Sequence, residues 1–463
     1  CLLDVFESFD QLPLASGSIA QIHKAVLRRD SGSRESGTLV AIKVRHPNVA
    51  KLIDMDFRLM NTAAAFADLF PALSWLHIRD SVEQFSHTMA AQAHLDVEAH
   101  HLEVLNHNFR HWKGVNFPHP VYASSSVIIE TFERGRIVTE ILDLYDNMAK
   151  QVSISGTTPT FTVEEVEDVY DGDDKKDDDE KVFANQFVPI SVAKFLVTTG
   201  LSMYLKMLLV DGIMHADLHP GNIMLDILRE TTTAPVSKSR ELLPVQEANV
   251  KRDLSLTLVD AGMVAQLTNE ERTNFIGLVC CLGSGNGRLA GEFALRFSIG
   301  TALNGEEREA FMHDMENLFA ERCRGYGTNV DVGHVLRGVL SLIRKHHVRI
   351  DANYATLVIN VLCVESLARR VCPSYNVLDA AKPLLESYKG LCYDGKGNVN
   401  ESPSGAKKAL VTVWMPIAYA SKATSDNAFF SKQKRLIEKQ RQKFQRTRAA
   451  ARAGFQEEIS SRK

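Results

Sequence analysis

Two short stretches carry most of the chemistry this sequence has to offer. His215-Ala216-Asp217-Leu218-His219-Pro220-Gly221-Asn222 sets an acid and an amide with four residues between them, and Val259-Asp260-Ala261-Gly262 follows further on. That spacing suits phosphoryl transfer, in which one acid stands at an acceptor hydroxyl and an amide oxygen reaches a metal ion. Asp260 ends an apolar run and precedes a small-residue turn, as a second, metal-binding carboxylate does. Two hard oxygen ligands suit Mg2+, which keeps phosphate oxygens and water in its other positions. Asp, Pro, Gly and Asn are also turn formers, so each stretch alone reads as a pair of side-chain-stabilised turns. Together and in this order they favour the chemistry.

Upstream, Lys43 ends the run Val40-Ala41-Ile42-Lys43. A lysine flanked by apolar strand residues needs an anion, and nucleotide phosphates provide one. In isolation the tetrapeptide reads as an edge-strand lysine reaching for water. The turn Pro13-Leu14-Ala15-Ser16-Gly17-Ser18-Ile19-Ala20-Gln21 is built of small residues that let backbone N–H groups approach phosphate. With Gly17 its only glycine, it is not a G-x-G-x-x-G loop and is weak evidence alone. The pairs His100-His101 and His346-His347 point to different helix faces and make poor metal sites. His215 and His219 flank Asp217, and hydrogen bonding that shapes its loop is the expected role.

These groups need elements to aim them. Residues 21–27 (QIHKAVL) and 39–44 (LVAIKV) alternate apolar and polar across a polar turn, the pattern of a hairpin. Residues 48–105 repeat apolar positions every three or four residues, with Pro71 as a break, and predict helices. Val127 to Ile129 predicts a strand running into Glu130-Thr131-Phe132-Glu133-Arg134-Gly135. From Pro189 to about residue 395 the pattern is mostly helical, interrupted at 229–252 by a polar insertion between two short apolar runs, 223–225 and 256–259. Only seven residues separate Asp260 from Thr268, which opens the next helix with the capping box Thr268-x-x-Glu271.

The 463 residues are 45% hydrophobic and 24% charged, which excludes a wholly disordered chain, a collagen-like repeat and a disulfide-dense miniprotein. The net charge of −4 hides two opposed blocks: residues 164–181 carry −8 and residues 432–463 carry +8. The acidic block reads as a solvated insertion. The basic tail reads either as a solvated helix or as a contact for an anionic membrane surface or lipid, at about 1 kcal/mol per well-placed cation. Nucleic acid is not an expected partner, because the tail offers only Phe444 and Phe455 for stacking. Seven cysteines with no C-x-x-C predict buried thiols in a reducing compartment. The apolar run 409–420 has twelve residues and a proline, too short to span a bilayer. The sequence shows no signal or transit peptide and opens at Cys1 without Met, which reads as a fragment or processed form.

PLASGSIAQIHKA, VAIKVRHPNV, an EA pair before LNHNF, HADLHPGNI and LVDAGM in this order resemble the AarF/UbiB group of atypical kinases, over about residues 6–388. The resemblance implies an α+β, bilobal, protein-kinase-like fold with extra N-lobe helices and a mainly helical C-lobe. ATP and Mg2+ are the implied cofactors. Lys43 is similar to the phosphate-contacting lysine, with Glu98 as its helical partner 55 residues on. Ala15, Ser16, Gly17 and Ser18 fall in the nucleotide loop, and Glu130 resembles the first hinge residue, whose backbone meets the adenine. Asp217 resembles the catalytic acid, and Asn222 and Asp260 the metal ligands. Gly17 stands where the family usually has alanine, and Ala261 where most relatives have Phe. The family's E-x-D motif reads Gln92-Ala93-His94, and its K-x-G-Q segment does not occur in the sequence. The DAG and SG variants resemble a mitochondrial branch of the family.

The expected layout is an N-lobe with inserted helices over 1–135, a hinge-following segment with the acidic insertion over 136–188, a helical C-lobe over 189–395, and a linker with a basic helical tail over 396–463. The expected function is an atypical kinase or ATPase, mitochondrial by resemblance, supporting coenzyme Q (ubiquinone) or lipid metabolism and meeting coenzyme Q pathway proteins as partners. Ala216 replaces the arginine that reads a phosphorylated activation loop, and the gap after Asp260 is short, so a small molecule, lipid or water is the expected acceptor. Two alternatives stay open: a nucleotide-gated scaffold without catalysis, and a small-molecule phosphotransferase.

Overall fold

Alternation of apolar and polar residues puts Val40 and Ile42 on one face of their strand and Ala41 and Lys43 on the other. This period-two pattern organises the N-terminal part of the protein. The computed structural model describes residues 2–28, 37–67, 78–155, 190–228, 253–298, 303–392, 414–436 and 439. A short helix α1 (Leu2–Val5) leads into β1 (Phe6–Phe9), β2 (Ala15–Ser16), β3 (Ala20–Leu27) and β4 (Leu39–Arg45). After three helices come β5 (Val115–Asn116), β6 (Pro120–Ala123), β7 (Val127–Thr131) and β8 (Arg136–Ile137). The main sheet has the order β1-β3-β4-β7-β6, antiparallel throughout, with β2 added to β3. Phe6, Ala25, Leu27, Val40, Ile42 and Ile129 close a small core on one face.

The helical pattern of residues 48–105 gives α2 (Val49–Ala67), α3 (Ile78–Gln92) and α4 (Leu95–Phe109), the inserted helices expected of the N-lobe. Pro71, the predicted break, lies outside the described residues. Helix α4 buries Leu95, Ala99, Leu102, Leu105 and Phe109 in the large core of the helical lobe and presents Glu98 to the sheet. The chain leaves β7 through Phe132–Gly135. At Gly135 φ is +143°, and a Cβ would lie 2.8 Å from the Leu225 carbonyl oxygen, so only glycine fits.

The helical lobe contains α5 (Val138–Ser155) and α6 (Ile190–Lys206), the latter ending in a π-turn over Met207–Asp211. Next come β9 (Ile213–His215), a 3-10 turn (Pro220–Asn222), β10 (Ile223–Leu228), β11 (Asp253–Leu258) and β12 (Val264–Gln266). Helices α7 (Asn269–Ser284), α8 (Gly287–Leu295), α9 (Gly305–Arg322), α10 (Val332–Lys345), α11 (Ala352–Val371) and α12 (Val377–Cys392) complete it. The two apolar runs flanking the polar insertion pair as β10 and β11, in a sheet of order β5-β11-β10-β8. Both predicted insertions, 156–181 and 229–252, lie outside the described residues. The predicted capping box forms: Thr268 Oγ1 accepts from the Glu271 N–H, and Glu271 accepts from the Thr268 N–H.

Part of the expected helical tail is among the described residues. Residues 414–436 form a helix that buries Met415, Ala418 and Phe430 in the large core. Lys422 there is 1% exposed and donates to Asp426, which also accepts from the Tyr375 hydroxyl at 2.8 Å. Apolar spacing outweighs the linker-like composition before it; most of the basic block lies outside the described residues. The segment Ile190–Asp211 is long and apolar enough to cross a membrane, but 67% of its window is buried against the rest of the helical lobe. Among the described residues Cys280, Cys281, Cys323, Cys363 and Cys372 are free thiols, three of them buried and Cys280 and Cys363 half-buried.

Candidate active site

Four strands align one row of side chains across the sheet: Ala15 opposite Ile22, Ile22 opposite Lys43, and Lys43 opposite Ile128. The loop Ala15–Ser18 therefore sits at the end of the row that carries Lys43, and its residues are exposed. The Lys43 ammonium donates to both oxygens of Glu98, at 2.9 and 2.8 Å, so β4 and α4 are joined by a bidentate ion pair. Asp260 Oδ2 lies 3.6 Å from the same nitrogen. Burial works against the Lys43 charge, but Glu98 and then Asp260 outweigh it and hold the pKa above the ordinary lysine value. Burial lifts Glu98 against the pull of Lys43. Asp260 is also penalised by burial, yet Lys43 and the Gly262 N–H bring its pKa below the usual carboxylate range.

Across from this pair, Asn222 Nδ2 donates to Asp217 Oδ2 at 2.9 Å and to the Asp217 carbonyl at 3.1 Å. Its amide oxygen is thereby turned away from Asp217. His219 Nε2 lies 3.5 Å from Asp217 Oδ2, while its Nδ1 accepts from the Gly221 N–H at 2.9 Å. His215, fully buried at the end of β9, accepts from the Asp217 N–H through Nδ1 and donates from Nε2 to the Asp260 carbonyl. One imidazole thus ties the two acid-bearing stretches together. Burial lowers its pKa and keeps it neutral, as this donor–acceptor pairing requires. Asn360 of α11 donates to the His215 carbonyl at 2.8 Å. Asp260 Oδ1 accepts from the Gly262 N–H at 2.9 Å, and β12 pairs directly with β9.

The model of the ABC1 atypical kinase-like domain matches residues 2–169 and 181–289, more than half of the chain. The chain belongs to that family. Curated ABC1-type relatives match over most of the chain. A "Probable serine/threonine-protein kinase abkC" of Dictyostelium discoideum is 28% identical over 82% of this chain and 55% of its own length. An "ABC1 family protein C21C3.03, mitochondrial" of Schizosaccharomyces pombe is 25% identical over 83% and 56%. A "Probable protein kinase UbiB" of Aliivibrio salmonicida is 24% identical over 83% and 58%. The chain spans just over half the length of these relatives.

Of the six expected positions outside the nucleotide loop, Lys43, Glu98 and Asp260 meet in one cluster, and the hydrogen-bonded Asp217 and Asn222 are tied to it through His215. Glu130 lies inside β7 with its backbone opposite Ala41, and β7 runs to Thr131, two residues past the predicted strand end at Ile129. Its side chain is 6% exposed. The E-x-D departure is structural here: His94 precedes α4 without a side-chain cap, and Arg45 donates to the Ala93 carbonyl at 2.6 Å.

The donor set fits Mg2+ and a nucleotide. Asp260 and the free amide oxygen of Asn222 are hard oxygen ligands, and Lys43 is a cation with room beside two carboxylates. Sequence reasoning missed two contacts. His101 Nδ1 donates to the Ala261 carbonyl at 2.9 Å; its place three residues after Glu98, on the same face of α4, is the signal that would have found it. Asn360 has no such local signal.

Proposed function

We propose that this chain binds ATP with Mg2+ between its lobes and transfers the γ-phosphoryl group to a small molecule, a lipid or water. The observation that carries the reading is the convergence of Lys43, Glu98 and Asp260 within 3.6 Å contacts, facing the hydrogen-bonded Asp217–Asn222 pair. Lys43 draws phosphate oxygens, and Glu98 fixes where its ammonium stands. Asn222 and Asp260 are the groups to hold Mg2+, which when bound neutralises charge on the phosphates. Asp217 accepts the proton of the attacking hydroxyl or water as its oxygen bonds the γ-phosphorus and ADP leaves. The backbone of Ser16–Ser18 supplies N–H groups at the end of the Lys43 row.

The segment after Asp260 pairs at once with β9, leaving little chain for a peptide-binding platform. That favours a small acceptor over a protein one. The names of the yeast and bacterial relatives, one mitochondrial and one UbiB, support a mitochondrial protein serving ubiquinone or lipid metabolism. The test is Mg-dependent ATP binding and turnover by the purified chain. Asp217→Asn should keep ATP affinity and abolish hydrolysis. A wild-type chain that binds Mg·ATP but turns over no faster than this variant would instead support a nucleotide-gated scaffold.

A further inference from the structure

Away from the cleft, α6 and the helix over 414–436 enclose a recess of ≈ 200 Å³ against the turn that follows α4. None of its lining residues takes part in the chemistry described above. Lys194, Thr198 and Ser202 recur every four residues along α6, so one face of that helix forms the floor. Trp112 and Tyr419 make an aromatic wall, with ring centroids 5.5 Å apart and planes at 89°. The rest of the lining is a surplus of donors. Lys113 is exposed and Lys194 half-buried, and neither has a carboxylate partner among the described residues. Lys194 donates to Asn427 Oδ1 at 2.6 Å, which leaves the Asn427 amide hydrogens facing outward as donors. The hydroxyls of Thr198, Thr199 and Ser202 have no protein acceptor among the described residues. Asp426, the carboxylate of the lining, is already engaged: Lys422 donates to it at 2.6 Å and the Tyr375 hydroxyl at 2.8 Å.

We infer that this recess binds a small organic phosphate monoester, its phosphate held by the two lysines and the α6 hydroxyls and its organic part against Trp112 and Tyr419. Two uncompensated ammonium groups match a phosphate monoester, which carries about −1.5 to −2 at pH 7. A carboxylate brings a smaller charge and two acceptor oxygens where the phosphate brings three, too few for the donors gathered here. The volume of ≈ 200 Å³ is below the ~300–1,000 Å³ of sites for drug-sized ligands, so the ligand is small. Bound there, it bridges α6 to the C-terminal helix along the existing Lys194–Asn427 contact. The inference does not depend on the Mg·ATP reading, because the recess shares no residue with the cleft.

Phenyl phosphate, a flat ring joined to a phosphate monoester, is the probe, titrated by calorimetry at pH 7 into the purified chain. Wild type should bind it with a Kd of about 1 mM or below. The double variant Lys113→Ala/Lys194→Ala should weaken binding by about tenfold or more, and Thr198→Val by about threefold. Phenol and benzoate should each bind about tenfold more weakly than phenyl phosphate. Equal affinity in wild type and the double lysine variant overturns the site, since the anion then sits elsewhere, the cleft included. Benzoate as tight as phenyl phosphate overturns the ligand class, and no binding to wild type at about 10 mM overturns both. If the double variant does not fold, Lys113→Ala decides, because that side chain is exposed: a loss of about threefold supports the site and none overturns it. Phosphatidylcholine vesicles carrying phosphatidic acid separate a soluble ligand from a lipid headgroup. Co-sedimentation no greater for wild type than for the double variant supports the soluble monoester. Co-sedimentation that the double variant loses overturns it in favour of a lipid.

Discussion

The two walls of the cleft are built on opposite terms. On the sheet wall, Lys43, Glu98 and Glu130 are 15%, 3% and 6% exposed, and the lysine is already locked to a carboxylate. On the loop wall, Asp217 and Asp260 are 47% and 45% exposed, held by an asparagine amide and a backbone N–H. The ion pair also bridges the molecule's two cores, since β4 belongs to the small one and α4 to the large one. The difference teaches where damage falls. Disturbing the sheet wall leaves a buried charge behind, whereas disturbing the loop wall exchanges one solvated group for another and costs chemistry instead.

The largest expected effect tests the loop wall. Asp217→Asn should lower ATP turnover by about 10²- to 10⁴-fold, the usual worth of a positioned acid–base group. Its urea unfolding midpoint should stay within about 0.5 kcal/mol of wild type, because the side chain is half exposed. A variant that unfolds would mean this wall is structural too. Next comes Lys43→Ala, which strands Glu98 and should cost about 3 kcal/mol in urea unfolding. Adding Glu98→Ala should recover part of that loss, a coupling that a double-mutant cycle reads directly. A single-mutant cost below about 0.5 kcal/mol erases the contrast between the walls.

His215, behind the loop wall, and Glu130, on the sheet wall, are both buried and both neutral at pH 7, but with opposite proton linkage. His215 has its pKa depressed from 6.5, so below that pH the unfolded chain takes a proton the folded chain refuses. Stability therefore falls as pH drops through this range. Glu130 keeps its proton up to about pH 8 when folded, against 4.5 for an ordinary glutamate, so its contribution declines as pH rises between those values. His215→Ala, which strands the Asp217 N–H and the Asp260 carbonyl, should cost about 2 kcal/mol. Glu130→Gln should flatten the decline in melting temperature from pH 6.5 to 8. A melting curve as pH-sensitive in that variant as in wild type would show that Glu130 ionises freely.

Local patterns carried the site further than they carried its supports. Lys43 was legible because a strand's period fixes which face a residue takes, and Asp217, Asn222 and Asp260 because their spacing fits one loop geometry. The capping box at Thr268 was legible for the same reason: it involves residues three apart. The strand carrying Glu130 runs to Thr131, two residues past its predicted end at Ile129, because the polar residues there still pair with β4. Asn360 lies 138 residues from Asn222, on a helix with no sequence relation to the loop it braces. The helical character of the tail was legible, but the burial of Met415, Ala418 and Phe430 was not, because composition reports solvation while burial depends on what the rest of the chain leaves uncovered.

The smallest expected effect concerns Gly17, the one glycine of the small-residue loop. Its N–H donates to the Ala20 carbonyl at 2.9 Å, and its own carbonyl accepts from His46 Nε2 at 3.1 Å. A Cβ built there meets only the Ala20 carbonyl oxygen, at 3.7 Å, an ordinary contact, and the backbone is not in the left-handed region. The fold itself therefore places no demand for glycine at this turn. Gly17→Ala should leave the urea midpoint unchanged or raise it by about 0.5 kcal/mol, since alanine restricts the unfolded chain. Any change in Mg·ATP affinity then reports how closely the loop backbone approaches the phosphates, and a loss of a few-fold is expected. A stability loss above about 1 kcal/mol would place this residue with the structural wall of the cleft rather than with its ligand-facing edge.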